Sequence, residues 1–335
     1  MRAYSLLDLA PIPEGAAAAD ALRNSLELAR MAEESGYRRF WLAEHHNMPG
    51  IASAATAVVI GHVAAGTKTI RVGAGGVMLP NHAPLVIAEQ FGTLAALFPG
   101  RIDLGLGRAP GTDMLTARAL RRHLAGPEDF PSDVAELIGY LGAPRDGARI
   151  RAVPGEGSNV PVWILGSSLY GAEFAAHFGL PYAFASHFAP FALEEALTLY
   201  RARFRPSAHL AKPYAIMAVG ATLAETDEEA RYLRSSQILG FANLRMGRPG
   251  PLPRPVEDLS AHLPPEAIAQ AEAAFSCAAV GSPATARRRF AELASRYRPD
   301  EIMVTGMIHD HALRLRSFAL AAEALAGLVD EAAAA

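Results

Sequence analysis

The chain has 335 residues, and 51% of them are hydrophobic, which is enough for one large core or two smaller ones. A net charge of −3 at pH 7, with no long basic run, argues against nucleic acid or an anionic membrane as a partner. The single cysteine excludes an intrachain disulfide, and the longest weakly polar run, residues 51–66, is too short to span a bilayer. We therefore expect a soluble, cytoplasmic protein.

Short apolar runs alternate along the chain with longer segments of helical periodicity. The strand-like runs are AYSLLDLA, RRFWLAEHH, TIRVGAGGVML, RIDLGLG, VPVWILGSS, YAFASHF, PYAIMAVGATL and DEIMVTGMI. Helical segments are predicted at residues 16–36, 53–65, 84–98, 169–179, 190–204, 225–243 and 311–328, with helical pieces between 113 and 142. Strands that alternate with helices in this way predict a parallel sheet with crossover helices.

Eight such units predict an α/β fold, a (β/α)8 TIM barrel that forms a single domain over residues 1–335. Insertions are expected at roughly 110–155, after strand 4, and 243–280, between strands 7 and 8. The second of these contains a proline-rich stretch, 249–265, which we expect to be an ordered excursion or lid. A doubly wound open sheet is the competing architecture. The alanine-rich tail, residues 331–335, is expected to be frayed.

Barrels of this type carry their chemistry at the C-terminal ends of the strands, so the residues that follow each strand are the first candidates. These residues are Glu44, His45 and His46, Gly75 and Gly76, Gly107 and Arg108, Gly166, Ser167 and Ser168, His187, and His309, Asp310 and His311. Nearly every strand end is polar or rich in glycine. The pattern supports a site at this end, although loops are polar in most proteins.

A metal site is one interpretation of the histidines. His309, Asp310 and His311 have a spacing that barrel metallohydrolases use, but the same residues fit a helix start with Asp310 as its cap. His45 and His46 point to opposite faces of an extended strand, so they cannot bind one ion without a turn. A metallohydrolase is therefore the less favoured alternative, and we predict no metal site.

Two strand ends carry groups that suit an anion. The run LGLGRAPGTD is rich in glycine, but its spacing differs from that of a dinucleotide-binding loop. Arg108 within it is either a solvated loop residue or an anion clamp. In ILGSSLYGAEF, Ser167 and Ser168 either cap the following helix or donate hydroxyls to an anion at its N-terminus. A phosphate held by both loops would find an arginine, two serines and free backbone N–H groups.

Four stretches of the chain, taken in order, resemble the bacterial luciferase-like family of flavin-dependent monooxygenases. They are WLAEHHNMPG, RVGAGGVMLPNHAPLVIAEQFGTLAALFPGRIDLGLGRAPGTD, VPVWILGSSLYGAEFAAHFGLPYAFASHF and AVGSPATARRRFAEL. The resemblance covers most of the chain at co-linear positions and is strongest over residues 38–115. It implies a (β/α)8 barrel that binds FMN at the C-terminal mouth.

The resemblance also implies roles for individual residues. Glu44 and His45 match the family's acid and active-site histidine, which are the expected catalytic residues. Gly75 and Gly76 match a non-proline cis peptide that backs the flavin ring, and Arg108 matches an arginine that binds the flavin phosphate. The remaining expected cofactor-binding residues are Gly107, Gly166, Ser167, Ser168, Tyr170 and Gly171.

Three of these positions depart from the family pattern. Tyr170 stands in place of a phosphate-binding threonine, Gly166 in place of an acid, and Gly107 where luciferase has a cysteine. These departures count against light emission more than against flavin binding. Strand alternation alone does not decide whether His45 or His46 faces the pocket, and the resemblance selects His45. Histidine suits proton transfer because its unperturbed pKa is about 6.5.

The activity implied is that of a two-component monooxygenase. Reduced FMN, supplied as a co-substrate by a separate NAD(P)H:flavin reductase, would react with O2 and oxidise a small organic substrate. The resemblance further implies a homodimer that packs through the helices at 53–65 and 84–98, which are apolar nearly all round. The alternatives are a deazaflavin-dependent oxidoreductase on the same barrel and a non-catalytic flavin-binding protein or subunit.

Overall fold

Strands and helices alternate along the computed structural model, which describes residues 1–109, 114–120, 129–144 and 146–329. The strands are β1 (Ala3–Asp8), β2 (Arg39–Leu42), β3 (Arg71–Met78), β4 (Ile102–Gly107), β5 (Val162–Gly166), β6 (Tyr182–Phe184), β7 (Ala215–Leu223), β8 (Ala278–Gly281) and β9 (Glu301–Thr305). The helices are α1 (Ala18–Glu34), α2 (Thr56–Ala65), α3 (Pro84–Leu97), α4 (Met114–Ala119), α5 (Phe130–Leu141), α6 (Leu169–Phe178), α7 (Leu193–Arg203), α8 (Asp227–Arg245), α9 (Pro265–Ala274), α10 (Pro283–Tyr297) and α11 (His311–Ala326).

Eight of the strands close into a parallel barrel. Strands β1 to β7 pair in sequence order, and β9 joins β7 to β1. The predicted (β/α)8 barrel is therefore confirmed, and its eight strands are the eight runs predicted from the sequence. The strands are buried on both faces, as in β7, where all nine residues are buried. This explains why they read as continuous apolar runs in the sequence.

The ninth strand was not predicted. Strand β8 lies outside the barrel and pairs in parallel with the end of β7, where Gly220 lies opposite Ala278 and Leu223 opposite Gly281. It begins in the predicted insertion at 243–280, together with α9, and α10 follows it directly. The run AAVG is short and rich in alanine, so it carries little of the β-branched signal on which strand prediction depends.

The lowest layer of the barrel interior is charged. Arg39 at the start of β2 donates to Asp103 at 2.8 Å and to Glu301 at 3.0 Å. Arg71 donates to the same Asp103 at 2.6 Å, and Tyr214 donates to Glu301 at 2.8 Å. Burial alone would raise the pKa of Asp103, but the two guanidinium groups hold that pKa below its ordinary value. The charges at this end are thus compensated within the barrel.

The next layer towards the mouth is apolar. It contains Leu7, Trp41, Trp163, Ile216 and Met303, which form one buried cluster inside the barrel. The rings of Trp41 and Trp163 meet edge to face, with 5.3 Å between their centroids. This layer separates the charged floor from the mouth, so the residues above it face an apolar base.

Three loops pass over one side of the mouth and are joined by backbone hydrogen bonds. The loop after β1 donates from Ile12 N to Gly50 O at 2.9 Å, in the loop after β2. Leu252 N, in the predicted proline-rich excursion, donates to Ile12 O at 2.8 Å. The excursion is therefore ordered, as predicted, and covers the mouth from above.

Some expectations fall outside the described residues. They are the frayed tail at 331–335 and part of the insertion at 110–155. Among the residues that the structure describes, no helix is long and apolar enough to cross a membrane.

Candidate active site

A cavity of about 280 Å³, which we call the first cavity, opens at the C-terminal ends of the barrel strands. It is lined by His45, Gly75, Gly76, Gly107, Arg108, Gly166, Ser167, Ser168, Tyr170 and Gly171, which are all of the predicted site residues except Glu44. The apolar layer of the barrel forms its base through Leu7, Trp41 and Met303. Residues distant in the sequence meet here because every parallel strand ends at the same rim.

One end of the first cavity suits an anion. The guanidinium carbon of Arg108 lies 3.9 Å from the centroid of the Tyr170 ring, which fixes the direction of the charge. Ser168 occupies the N-cap position of α6, but its side chain makes no capping hydrogen bond. Ser167 and Ser168 are both exposed. Their hydroxyls and the first N–H groups of α6 can therefore bind an anion, as helix N-termini often do.

The middle of the first cavity is backed by bare backbone. The peptide bond between Gly75 and Gly76 is cis, as the resemblance implied. A Cβ atom on Gly75 would lie 2.7 Å from Leu7 and 3.1 Å from Trp41, and one on Gly76 would lie 2.8 Å from the Gly105 oxygen. The Gly105 backbone leaves no room for a side chain on Gly76, and one on Gly75 would have to displace the Leu7 side chain. This wall therefore consists of backbone without side chains. A flat wall beside an anion-binding end fits a planar ring that carries a phosphate.

His45 faces the first cavity from the end of β2. Its Nδ1 is buried and makes no hydrogen bond. Burial lowers the pKa of His45 and outweighs the opposing effect of the nearby Glu44 charge, while His46 lowers that pKa further. The imidazole is therefore neutral near pH 7. A neutral imidazole has one ring nitrogen free to accept a proton, which it can then return.

Glu44 does not line the cavity. Its carboxylate is buried, and one oxygen is hydrogen-bonded to His46 Nε2 at 2.9 Å and to His82 Nε2 at 2.8 Å. These three groups lie close enough to hold a metal ion, but none of them lines the first cavity. The cluster joins the loop after β2 to the loop after β3 directly behind His45. From the sequence, His82 in LPNHAP fits either a pocket rim or a plain loop.

The histidines after the last strand do not join His45. His309 is hydrogen-bonded to the Glu14 carbonyl at 3.1 Å. Asp310 caps α11 by accepting from Leu313 N at 2.9 Å, and His311 pairs with Glu27 at 3.1 Å. The interpretation of these residues as a helix start is thus confirmed.

A second cavity of about 270 Å³ adjoins the first. The two share Leu9, His45, His187 and Phe188 in their walls. The second cavity is otherwise formed by the loops over the mouth and by the face of α8 that turns towards them. It was not predicted, because its walls come from loops that no periodicity describes.

His187 stands with His45 at the boundary of the two cavities. Its Nδ1, like that of His45, is buried without a hydrogen bond. Burial, and next the proximity of His45, lower the pKa of His187 to about 3. The sequence placed His187 at a strand end but did not single it out. Strand alternation could have identified it. Ala183 and Ala185 line the first cavity, and His187 continues the same series of every second residue.

Comparison with known proteins identifies the family. The model of the luciferase-like monooxygenase family matches residues 4–298 of this chain. The chain belongs to the luciferase-like monooxygenase family.

Individual members agree with this assignment. A protein of Escherichia coli (strain K12) described as a luciferase-like monooxygenase is 54% identical, over 95% of this chain and 96% of its own. The crystal structure of apo-MsnO8 is 36% identical with a TM-score of 0.86, over 97% and 99% of the two chains. The oxygenating constituent of 3,6-diketocamphane monooxygenase from Pseudomonas putida, solved with FMN, has the same fold, with a TM-score of 0.71 at 17% identity over 98% and 99%.

Because His187 is buried in its neutral form, we expect its replacement to flatten the dependence of stability on pH. The unfolded chain binds a proton at this residue below about pH 6.5, whereas the native protein excludes it until about pH 3. The neutral His187 therefore contributes its full share of the unfolding free energy above about pH 6.5. This contribution is lost as the pH falls towards 3, by up to about 1.4 kcal/mol per pH unit. When the pH is lowered from about 6.5 to 5, the unfolding free energy of His187→Gln should fall by about 1–2 kcal/mol less than that of the wild type.

Urea unfolding at the two pH values measures this difference. The control is His177→Gln, because His177 is exposed on α6 and should leave the wild-type pH dependence unchanged. Equal pH dependence in wild type and His187→Gln would show that His187 is not excluded from protonation in the native protein.

Proposed function

We propose that the protein is an FMN-dependent monooxygenase, which uses reduced FMN as a co-substrate with O2 to oxidise a small organic molecule. One observation carries the proposal: a single cavity combines an anion-binding end, a flat wall of backbone and a neutral histidine. The phosphate, the ring and the reacting edge of a flavin need these three features in this order. The membership of the family supports the same conclusion.

Bound reduced flavin supplies the activation of O2, and the protein supplies binding, orientation and protons. Arg108 and the hydroxyls of Ser167 and Ser168 hold the phosphate, and Arg108 contributes a charge-assisted hydrogen bond. The wall at Gly75–Gly76 supports the ring. The apolar base of the cavity would exclude water from the reacting groups.

His45 is the residue that we propose to move a proton. Since Nδ1 is buried and without a partner, Nε2 is the ring nitrogen that remains to face the cavity. Glu44 acts as a positioning residue in this proposal, because its carboxylate holds His46 and His82 rather than the reacting groups. The proposed proton carrier is therefore His45 alone.

The electrons come from outside the chain. Arg108 is the one charged side chain among the described residues that line the first cavity. The glycine-rich run around it lacks the spacing of a nicotinamide-binding loop. These features support delivery of reduced FMN by a separate NAD(P)H:flavin reductase. Titration with FMN and with a deazaflavin, followed by absorbance, distinguishes the proposed cofactor from its alternative.

We also propose a homodimer through α2 and α3, and we expect light scattering to give twice the chain mass of 35.5 kDa at micromolar concentration. Large apolar side chains point outwards on these two helices, with Val58 73% exposed and Leu97 65% exposed. The pair of changes Val58→Lys and Leu97→Lys should give monomers. Phe191→Lys, at an exposed apolar residue outside these helices, is the control. A monomeric wild type would contradict the proposal.

Arg108→Ala should weaken the binding of FMN about ten- to a hundredfold and should leave riboflavin binding nearly unchanged. A charge-assisted hydrogen bond to the phosphate is worth about 1.5–3 kcal/mol, and riboflavin has no phosphate that could form this bond. Fluorescence titration measures both affinities. Arg203→Ala, at an exposed arginine on α7, should alter neither. Equal weakening of both ligands would place the phosphate elsewhere.

His45→Ala should change the affinity for FMN by less than about 1 kcal/mol, since the phosphate is held by other strands. It should lower the rate of substrate oxidation by about 10²–10⁴-fold, the range for loss of a general acid–base group. The assay supplies photoreduced FMN and air, with neutral ketones, aldehydes and thioethers as trial substrates.

The same experiment tests the metal alternative. Elemental analysis of wild type and variant, with a chelator arm in the assay, shows whether an ion is present and whether it matters. One tightly held metal per chain that His45→Ala removes, or an unchanged rate of substrate oxidation in the variant, would contradict the proton-transfer role.

A further inference from the structure

The second cavity differs from the first in charge. None of the described residues that line it is aspartate, glutamate, lysine or arginine. Its walls are apolar, with Met48, Ile51, Phe241, Leu252 and Phe275 among them. A charged group entering this cavity would lose part of its hydration and gain no ion partner from the cavity walls. The lining therefore selects uncharged molecules.

The polar groups of the second cavity lie at its boundary with the first. His45 and His187 face both cavities, and the Nδ1 atom of each is buried without a hydrogen bond. A buried acceptor without a partner costs less than a buried N–H without one. We therefore assign the proton of each neutral imidazole to Nε2. Each histidine then presents a hydrogen-bond donor to the space between the cavities.

The roof of the second cavity depends on a close crossing of two loops. Gly50, in the loop after β2, passes Gly250 in the proline-rich excursion so closely that a Cβ on Gly50 would collide with the Gly250 carbonyl oxygen. A Cβ on Gly250, in contrast, would meet nothing within 4 Å. Both residues line the cavity. The crossing therefore forms part of the cavity wall.

From these three features we infer that the second cavity binds the substrate, and that the substrate is an uncharged, largely apolar molecule with a hydrogen-bond acceptor. The acceptor lies between the Nε2–H groups of His45 and His187, and the apolar remainder lies under the roof. This inference rests on the proposed flavin-dependent function, because it places the reacting group beside the first cavity. It excludes carboxylates, sulfonates and chelates as preferred substrates.

A matched pair of fluorescent probes tests the inference. The neutral probe is 6-propionyl-2-(dimethylamino)naphthalene, a ketone, and the anionic probe is 6-(dimethylamino)naphthalene-2-carboxylate, which has the same ring system. In protein saturated with FMN, we expect the ketone to bind at one site per chain and at least about tenfold more tightly than the carboxylate. Equal affinities would overturn the inference.

Substitutions assign the site. Gln237 lines the second cavity from α8, so Gln237→Arg should raise the affinity for the carboxylate and lower that for the ketone. Gln270→Arg, the same change at an exposed position on α9, is the control and should alter neither. His187→Phe, which removes the N–H donor but keeps an aromatic ring, should weaken the binding of the ketone about two- to tenfold, the range for one neutral hydrogen bond. The same change should not affect the binding of 2-(dimethylamino)naphthalene, which lacks the carbonyl group.

Two glycines provide a second matched pair. Gly50→Ala forces the loops apart and should weaken the binding of the ketone. Gly327→Ala, at the end of α11, has room for the added methyl group and does not line the cavity, so it should leave that binding unchanged. If Gln237→Arg does not favour the carboxylate and Gly50→Ala has no effect, the probe binds elsewhere and the inference is wrong.

Each titration is repeated without FMN, which separates this inference from the function on which it rests. If FMN fails to bind but the ketone is still preferred, the proposed function is contradicted. The preference of the second cavity for uncharged ligands then still stands. Normal FMN binding with no preference for the ketone would contradict the substrate class alone.

Discussion

The alternation of side chains along the strands of a closed barrel is the constraint on which the rest of the structure depends. Because successive residues point to opposite faces, every second residue of a strand enters the barrel interior. Along the second strand and the residues that follow it, these are Arg39, Trp41, Ala43 and His45. One strand thus contributes a charge to the floor, a ring to the apolar middle and an imidazole to the mouth. Strand β9 repeats the first two layers, with Glu301 at the floor and Met303 in the apolar middle.

This layering controls where charge lies. The carboxylates of Asp103 and Glu301 are neutralised by arginines at the floor, so their field does not reach the mouth uncompensated. At the mouth, burial keeps His45 and His187 neutral. Arg108 then supplies positive charge to one end of the first cavity. The arrangement is favourable for a phosphate at that end and for an uncharged reactant at the other.

The sequence predicted the barrel because its eight strands are strongly apolar and its helices are strongly periodic. The family resemblance also named nine expected cofactor-binding residues and His45, and these all line one cavity. It did not decide which residues of FWLAEHH face inwards, since a parallel strand is buried on both faces and both sets are apolar. That choice separates His45, which lines the cavity, from Glu44, which was expected beside it and lies behind it.

The parts that sequence reasoning missed or left open depend on tertiary contacts. Strand β8 is held by pairing with β7, and its own four residues have little tendency to form a strand. His82 gains its place from a hydrogen bond to a residue 38 positions earlier. The second cavity depends on loops that cross at Gly50, and no local pattern marks such a crossing. In each case the structure is determined by contacts with residues distant in the sequence, so the local sequence does not predict it.

The most direct test of the central claim is a crystal structure of the protein with FMN bound. The account predicts the phosphate between Arg108 and the first turn of α6, and the ring against Gly75–Gly76. It also predicts the reacting edge of the ring towards His45 and His187. A phosphate bound away from Arg108, or a ring that occupies the second cavity, would contradict it.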